Sequence, residues 1–407
     1  MGLFFQNKTE YKVQSISQVT WKRLIHNRQG AFLLICLVFI TLIAILGYLI
    51  TPDSTPYANE QLLEVRLSKP FSQIKIASVR KNQQVVQHNI FYKMLFGQAN
   101  PFQPIAIDKY WFKKDSVILQ RYNEVAPYNI EKIHLADMVF PIKGQIKSLS
   151  DSTCSFFTID GSYKQMSINE LQKLAKKQIQ TRTYILGTDR YGRDVLSQLI
   201  IGTRVSLSVG FVSVFIALLI GVFLGAIAGY YRGIIDDVIM WIINVVWSIP
   251  TLLLVIAISF ALGTGFWQIF IAIGLTMWVD IARVVRGQVI SFREKEFVEA
   301  SKALGFRNMT IIFKHILPNI TGTVIVIVAA NFASAILTEA SLSFLGIGVQ
   351  PPMPSWGTMI KENYGYIILD YAYLAIIPGI AIMLLVLCFM LLGNVLRDVL
   401  DIKGENN

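Results

Sequence analysis

The chain has 407 residues, of which 54% are hydrophobic and 15% are charged, and its formal net charge is +11. Soluble domains have about 25% charged residues, so this composition excludes an ordinary soluble domain and indicates a membrane protein. The basic excess does not indicate nucleic-acid binding, because residues 51–180 hold 17 Lys and Arg against 11 Asp and Glu in scattered positions, and most of the remaining excess flanks apolar stretches.

The cysteines and histidines form no pattern that is typical of a site. Cys36 and Cys388 lie in apolar stretches and Cys154 is alone in a polar region, so no disulfide framework is predicted. The four histidines are far apart in sequence, so no metal site is predicted. No cleavable leader is predicted either, because residues 1–30 are largely polar and the apolar stretch after them is long enough to span a membrane.

Residues 31–50 form the first predicted transmembrane helix. They contain no charged residue, and as a helix they would measure about 30 Å, the thickness of a bilayer core. Residues 1–30 are polar and basic, and Trp21 is expected to hold part of them at the membrane surface. Basic residues before a span place that side in the cytoplasm. The basic residues here are Lys8, Lys12, Lys22, Arg23 and Arg28.

Residues 51–182 are too polar to span a membrane and too long for a simple loop. Within them, 73–79 alternates as a strand does, and 85–90 alternates more loosely. Ser167 and Glu170 have the capping-box pattern of a helix start. We therefore predict a small α+β domain between the first two transmembrane helices. We expect it outside the cytoplasm, in contact with a substrate-binding protein or a partner subunit.

A glycine-rich motif, LGTDRYGRDVL, follows this insert. Gly187 and Gly192 have the spacing of a nucleotide-binding P-loop, but Arg193 and Asp194 replace the Lys and the Ser or Thr that phosphate binding needs. The chain is therefore predicted not to hydrolyse ATP. The motif, which includes Asp189, resembles the LGTDxxGRDVLS signature of the C-type permease of dipeptide and oligopeptide importers.

The second span is predicted over about 205–229. Its Gly221, Gly225 and Gly229 repeat every four residues and form one flat helical face. Such a face lets another helix approach closely, and it is a candidate for packing around a transport pathway. General tolerance of glycine in membrane helices is the alternative interpretation.

The third span is predicted over about 238–262 and the fourth over about 266–281. Pro250 is expected to kink the third span in the middle of the membrane. The loop at 282–318 is rich in basic residues, which places it in the cytoplasm. These are Arg283, Arg286, Arg293, Lys295, Lys302, Arg307 and Lys314.

This loop is predicted to contain two short helices. Ser291 and Glu294 have the form of a capping box, which predicts a helix start. Gly305 is expected to end that helix, because glycine adopts positive φ without penalty. Pro318 is expected to stop the second helix.

The same loop resembles the EAA loop of binding-protein-dependent ABC importer permeases. The resemblance implies that it forms the coupling helix that docks into a groove on an ATPase subunit. An ordinary amphipathic linker helix between two spans is the alternative interpretation. The residues that carry the resemblance are Glu299, Ala300, Ser301, Gly305, Leu317 and Pro318.

The fifth span is predicted over about 321–345 and the sixth over about 373–396, with a cytoplasmic tail at 402–407. Asn331 and Glu339 are polar residues inside the fifth span. An ionisable residue inside a span is a functional candidate, so Glu339 has two interpretations, a transport role or a hydrogen-bonded structural carboxylate.

The segment between these two spans reads LSFLGIGVQPPMPSWG. It resembles the LSFLGLGVQPPxPSWG segment of C-type peptide permeases almost position for position. Its glycines and its prolines, which include Pro351 and Pro352, predict a rigid loop outside the cytoplasm, with Trp356 at the membrane interface.

Together these motifs identify the chain as a member of the C-type permeases of the dipeptide, oligopeptide and nickel importer family, over about 1–50 and 183–401. The resemblance implies a type I ABC importer permease fold with six transmembrane helices and both termini in the cytoplasm of a bacterium. It implies a second homologous permease, two ATP-binding subunits that use ATP and Mg, and a periplasmic or lipid-anchored binding protein that delivers the substrate. The chain itself is expected to be no enzyme and to hold no cofactor.

Two other functions are weighed against this one. A secondary transporter that works without ATPase subunits predicts inverted repeats and ionisable or broken-helix sites near the midplane. No internal repeat is visible, and Asn244 and Asn331 are the deep polar residues that the pattern indicates. A membrane enzyme with a catalytic insert is disfavoured, because no Ser/His/Asp, Cys/His or metal set stands out there.

Overall fold

The computed structural model describes residues 16–122, 130–150, 152–263 and 265–401. Over these residues, the chain is a bundle of long apolar helices with a mixed α/β unit inserted between the first two long helices. Five helices are long and apolar enough to cross a membrane, and there are up to six crossings if a bent helix pair counts as one span. The predicted fold class, a polytopic helical membrane protein with an α+β insert, is confirmed.

The predicted tail at 402–407 and the first part of the predicted N-terminal region lie outside the described residues.

The helices, in chain order, are α1 (Ile16–His26), α2 (Arg28–Ile50), α3 (Ile90–Phe96), α4 (Leu135–Val139), α5 (Ile168–Lys177), α6 (Val195–Tyr231), α7 (Gly233–Ser248), α8 (Thr251–Leu262), α9 (Phe266–Arg293), α10 (Glu296–Ala303), α11 (Asn308–Thr310), α12 (Leu317–Leu345), α13 (Trp356–Asn363) and α14 (Tyr373–Asp401). A π-helical turn at Ile311–Ile316 joins α11 to α12 into one span. The other spans are α2, α6, the bent pair α7 and α8, α9, and α14.

The second and fourth spans are longer than predicted, because the prediction ended them at charged residues. α6 begins before 205, and the Arg204 side chain inside it donates hydrogen bonds to backbone carbonyls of α3. α9 continues beyond 281, and Arg286 inside it pairs with Asp236 of α7 at 2.5 Å. A charge that finds a partner within the protein does not have to mark the end of a span.

The predicted helix ends in the loop after the fourth span are partly wrong. α9 runs through Ser291, and the next helix begins only at Glu296, with Lys295 as an N-cap that makes no side-chain hydrogen bond. Pro318 does not stop a helix but lies in the first turn of α12, where its missing N–H is tolerated. The wider π-helical turn before it continues the helix past the proline. Gly305 has the expected positive φ, 76°.

The third span is broken at Pro250. α7 ends directly before Ile249 and α8 begins directly after Pro250, and the two helices meet at 97°. The predicted kink is confirmed, and the bend is large enough to turn the chain sideways in the bundle.

The insert contains two antiparallel sheets. A five-stranded sheet has the order β4-β3-β2-β1-β8 and a three-stranded sheet has the order β5-β6-β7. The chain enters through β1 and leaves through β8, which pair with Ser72 opposite Tyr184. The strands are β1 (Ser72–Arg80), β2 (Phe102–Lys113), β3 (Ser116–Arg121), β4 (Ile130–His134), β5 (Lys147–Ser150), β6 (Thr153–Phe157), β7 (Tyr163–Ser167) and β8 (Ile179–Tyr184).

The insert follows its sequence pattern in part. The strand predicted at 73–79 is β1, and the capping box of Ser167 and Glu170 opens α5. The strand predicted at 85–90 is wrong, because this stretch is irregular and leads into α3. Its alternation was loose, and no neighbouring strand pairs with it among the described residues.

The glycine face of α6 lies directly against α9. A Cβ at Gly221 would stand 2.7 Å from the carbonyl oxygen of Trp278, and one at Gly229 would stand 2.7 Å from that of Arg286. Gly225 lies between them on the same face. The missing side chains therefore let the two backbones approach closely, as small residues do in membrane helix pairs.

Gly225→Ala is expected to lower the stability of the bundle, because its Cβ would stand 3.0 Å from Cα of Ala282 and would collide with that residue's carbonyl oxygen. Overpacking of this kind costs about 1–3 kcal/mol. Gly287→Ala in α9 is the matched control, since nothing lies within 4 Å of a Cβ there. Thermal unfolding in detergent should show a lower midpoint for Gly225→Ala alone, and equal midpoints for both variants would contradict the close contact.

Candidate functional site

The LGTDRYGRDVL motif forms a tight loop that holds the segment after span 1. The backbone N–H of Thr188 donates to the Ser68 carbonyl at 3.1 Å, and that of Leu67 donates to the Asp189 carbonyl at 3.0 Å. One carboxylate oxygen of Asp189 accepts the backbone N–H groups of Tyr191 and Arg193, both at 2.9 Å. The motif is therefore a connector between two distant parts of the chain.

Both glycines of this loop are needed for its conformation. Gly187 and Gly192 have φ values of 75° and 72°, a region that residues with a Cβ rarely adopt. Each also touches the segment after span 1, where a Cβ would collide with the carbonyl oxygen of Ser68 or of Leu62. The two glycines, although spaced as in a P-loop, therefore form a tight turn.

Arg193 lies buried between two carboxylates. Its Nε contacts Asp189 Oδ2 at 2.6 Å, and its Nη2 contacts Glu362 of α13. Burial by itself would lower the pKa of Arg193, but Asp189 and then Glu362 raise it above its usual value. This guanidinium therefore stays charged and fastens α13 to the start of α6.

Asp194 begins α6 as its N-cap. Its carboxylate accepts the backbone N–H of Ser197 at 2.8 Å, and the Ser197 hydroxyl in turn accepts the backbone N–H of Asp53 at 3.0 Å. Burial raises the pKa of Asp194, while its hydrogen bonds to Ser197 act in the opposite direction. Burial likewise raises the pKa of Asp53. The end of span 1 is thereby joined to the start of span 2.

The proline-rich segment packs against the same end of the bundle. The indole of Trp356 donates to the Leu199 carbonyl of α6 at 2.9 Å, and its ring covers Gly202. Pro351 and Pro352 line a small cavity beside Arg193. The structure thus brings together the LGTDRYGRDVL motif and the proline-rich segment, which are distant in sequence.

Glu339 is buried where α12 ends beneath this segment. The Ser343 hydroxyl donates to Glu339 Oε1 at 2.6 Å and accepts the backbone N–H of Val349 at 3.1 Å. The carboxylate therefore helps to hold the loop on α12. Asn331 is also buried in α12, earlier along the helix, and its side-chain amide nitrogen has no hydrogen-bond partner among the described residues.

The EAA-like residues lie at the other end of the bundle from the LGTDRYGRDVL motif and the proline-rich segment. We call the end with the EAA-like residues the far end. In α10, Ser301 is buried and its hydroxyl donates to the Phe297 carbonyl at 2.8 Å, whereas Glu299 and Ala300 are exposed. Gly305 ends the helix, and its backbone N–H donates to the Lys302 carbonyl at 2.9 Å.

Leu317 and Pro318 belong to the first turn of α12, beyond the π-helical turn. The segment around α10 is fastened to α6 by two contacts. The Tyr230 hydroxyl contacts Asn308 Oδ1 at 2.9 Å, and Arg232 pairs with Glu294 at 2.7 Å.

The sequence pattern missed one polar group halfway along the bundle. Asp280 of α9 is exposed and lies in the electrostatic field of Arg283 and beside Trp247. Arg283 donates to Asn244 Oδ1 of α7 at 3.3 Å, and its guanidinium carbon stands 3.8 Å from the centre of the Trp247 ring. In the sequence, Asp280 stands next to the predicted end of span 4 at 281. Because α9 continues to Arg293, Asp280 lies in the middle of the helix.

Comparisons with known proteins agree on one family. A family profile described as "Binding-protein-dependent transport system inner membrane component" matches residues 221–402, and one described as "N-terminal TM domain of oligopeptide transport permease C" matches residues 15–70. The chain is 41% identical over 218 residues to the "Glutathione transport system permease protein GsiD" of Pectobacterium atrosepticum, which covers 54% of this chain and 72% of the relative. It is 45% identical over 220 residues to the "Dipeptide transport system permease protein DppC" of Alkalihalophilus pseudofirmus, with the same coverage of both chains.

Solved structures are less similar to this chain in sequence than the relatives above. A structure titled "Inward facing conformations of the MetNI methionine ABC transporter" aligns at 21% identity with a TM-score of 0.42, over 50% of this chain and 96% of that chain. A second, titled "Crystal structure of an amino acid ABC transporter with histidines", aligns at 18% identity with a TM-score of 0.39, over 50% of this chain and 94% of that chain.

Arg193→Gln is expected to destabilise the protein by about 3–5 kcal/mol, because it leaves the buried Asp189 carboxylate without its cation. Arg232→Gln is the matched control, since it breaks a pair whose side chains are 41% and 67% exposed and should cost at most about 1 kcal/mol. Thermal unfolding midpoints measure both changes. Similar losses in the two variants would mean that the buried contacts do not hold this end together.

Proposed function

This chain belongs to the binding-protein-dependent family of ABC importer permeases, in its C-type peptide branch, and we propose that it forms, together with a second permease, the membrane pathway for a small peptide. Relatives named for dipeptide and for glutathione transport support a substrate of that size and chemistry. A binding protein delivers the peptide, and two separate ATPase subunits use ATP and Mg to drive its passage.

The proposed orientation in a bacterial cytoplasmic membrane follows from charge. The far end of the bundle carries the basic loop around α10, so this end and both termini face the cytoplasm. The insert and the proline-rich segment then lie on the opposite side, where a binding protein arrives. Buried contacts fasten Trp356 and α13 to the start of α6 at this end of the bundle, which makes it a firm surface.

The observation that carries the proposal is the exposed segment around α10. Its Val298 and Ser301 are buried against the rest of the chain, whereas Glu299, Ala300 and Leu304 are exposed. A short helix that presents both charged and apolar groups to solvent fits docking to another protein better than it fits a plain linker. We therefore assign it as the coupling helix that contacts an ATPase subunit.

Movement of this helix reaches the spans through contacts on both sides. Arg232 and Tyr230 connect α6 to Glu294 and to Asn308, which lie on either side of α10. Arg286 and Asp236 connect α9 to α7 by two hydrogen bonds, of 2.5 and 2.6 Å. A push on α10 would therefore be transmitted to several spans together.

Gly305→Val is expected to reduce peptide uptake and the ATP hydrolysis that the binding protein stimulates. A β-branched residue at the φ of 76° is strained by about 1–2 kcal/mol, enough to disfavour the docked shape about tenfold. Nothing lies within 4 Å of a Cβ there, so the effect comes from the backbone and needs no clash. Gly305→Asn should retain most activity, because Asn tolerates this conformation.

Gly144→Val is the matched control, because Gly144 of the insert also has a positive φ, 86°, and open space around its Cβ. Both rates are measured with the complete complex in proteoliposomes. Normal coupling in Gly305→Val would count against the assignment of α10. Uptake that continues without the ATPase subunits would favour a secondary transporter and overturn the proposed function.

A further inference from the structure

Four side chains meet halfway along the bundle, beside the break in span 3. This mid-span cluster consists of Asn244 and Trp247 of α7 with Asp280 and Arg283 of α9. Arg283 is held by Asn244 at 3.3 Å and by the face of the Trp247 ring at 3.8 Å. Asp280 lies three residues before Arg283 on α9, so the two side chains are neighbours on the helix surface, and Asp280 is exposed.

The cluster lies near the middle of spans 3 and 4 and not at their ends. Asp280 is about 21 Å along α9 from Phe266 and about 20 Å from Arg293, so it lies near the middle of a membrane-spanning helix. Asn244 and Trp247 are exposed at the matching depth of α7. A carboxylate that faces acyl chains there is strongly unfavourable, and such groups face a bundle interior or a water-filled cavity.

The break in span 3 is a second and independent observation at the same place. Ile249 and Pro250 interrupt the helix and are exposed, directly after Trp247. Irregular backbone at membrane depth is tolerated only where protein covers it or water reaches it. Both observations therefore require protein or water, and not acyl chains, against this face of α7 and α9.

We propose that the mid-span cluster is a substrate-contact site of the transport pathway, where Asp280 receives the ammonium group and Arg283 the carboxylate group of a zwitterionic peptide. The two side chains supply the two opposite charges that such a ligand carries at its ends, and Trp247 offers an aromatic face to a side chain between them. This site deepens the proposed function and rests on it, because the second permease must enclose the other side of the pathway.

The test uses Asp280→Cys in a chain whose native Cys36, Cys154 and Cys388 are replaced by Ser, assembled as the complete complex. Phe39→Cys in α2 is the control, since Phe39 is an exposed apolar residue of a membrane span. Charged thiol reagents should modify Asp280→Cys at least about tenfold faster than the control, because the reactive thiolate needs water. The anionic reagent should outpace the cationic one, and adding Arg283→Gln should remove that preference. A high concentration of peptide supplied with the binding protein should slow the reaction by covering the thiol, since Arg283 and Trp247 remain to hold the peptide.

Equally slow modification at both positions would overturn the site, and so would fast modification that peptide leaves unchanged. Loss of the second permease from the Asp280→Cys complex would identify the cluster as a subunit contact and would also overturn it. Peptide uptake by the unmodified complex is measured in parallel. Absence of uptake would contradict the proposed function. Normal uptake, with modification of Asp280→Cys that peptide does not slow, would contradict the site alone.

The short helix α3 of the insert contacts span 1 and exposes a row of apolar side chains. Its apolar side chains Ile90, Phe91, Leu95 and Phe96 are all exposed, and none of its residues is buried. A soluble domain rarely leaves a whole helix of large apolar side chains uncovered, so this surface has a partner outside the chain.

The position of α3 identifies that partner. Arg204 of α6 donates to the last carbonyls of α3, those of Met94 at 2.8 Å and Leu95 at 3.0 Å. The same side chain reaches the Ile45 carbonyl of α2 at 3.4 Å, and Ile45 is about 8 Å along the helix from the end of span 1. The helix is therefore held beside two membrane spans at the level of a lipid leaflet.

We infer that α3 is an interfacial anchor that inserts its apolar side chains into the leaflet on the insert side. An apolar helix held at this level gains the burial in lipid that the protein does not provide. The anchor fixes one edge of the insert to the membrane. This inference does not depend on what the protein transports.

A fluorophore on Phe91→Cys tests the anchor, in the same cysteine-free chain reconstituted into lipid nanodiscs. Phe157→Cys is the control, because Phe157 is also an exposed phenylalanine and lies on the second sheet of the insert. Brominated lipids should quench about half of the emission at position 91 and little at position 157. Equal quenching at the two positions would overturn the anchor, as would shielding of position 91 by the binding protein with no effect of the lipids.

Discussion

A guanidinium buried between two carboxylates determines how one end of this permease is built. Arg193 contacts Asp189 within its own loop and Glu362 on α13, which are far apart in sequence. None of these charges can be buried alone without a large desolvation cost, so the segments that carry them are stable only together. The start of α6 and the proline-rich segment pack beside this contact, and the end of span 1 joins α6 close to it through Asp53 and Ser197.

The two ends of the bundle differ in how their polar groups are satisfied. At the insert end, buried carboxylates and hydroxyls form hydrogen bonds within the chain, and glycines allow close contacts. At the far end, α10 is exposed and is held by a few contacts to its neighbours. A rigid insert end and a lightly held far end suit the proposed role, in which the far end receives movement and the insert end keeps its shape.

Local signals in the sequence predicted local features, and tertiary contacts decided the rest. Hydropathy located the spans, and the conformational limits of Pro250 and Gly305 predicted a bend and a positive φ that the structure has. The span ends were wrong where Arg204 and Arg286 find partners on other helices, which no local pattern reveals. Asp280 was missed for the same reason, because its meaning depends on the length of α9 and on the neighbouring α7. The capping pattern at Ser291 failed because α9 continues through it.

The pairing of β1 with β8 brings the two ends of the insert together. Adjacent strands lie about 4.8 Å apart, so the polypeptide leaves the insert almost where it entered. The elements between these strands are an excursion whose length hardly changes the distance that α2 and α6 must bridge. An insertion or deletion within this excursion, outside α3, would therefore leave the ends of α2 and α6 where they are.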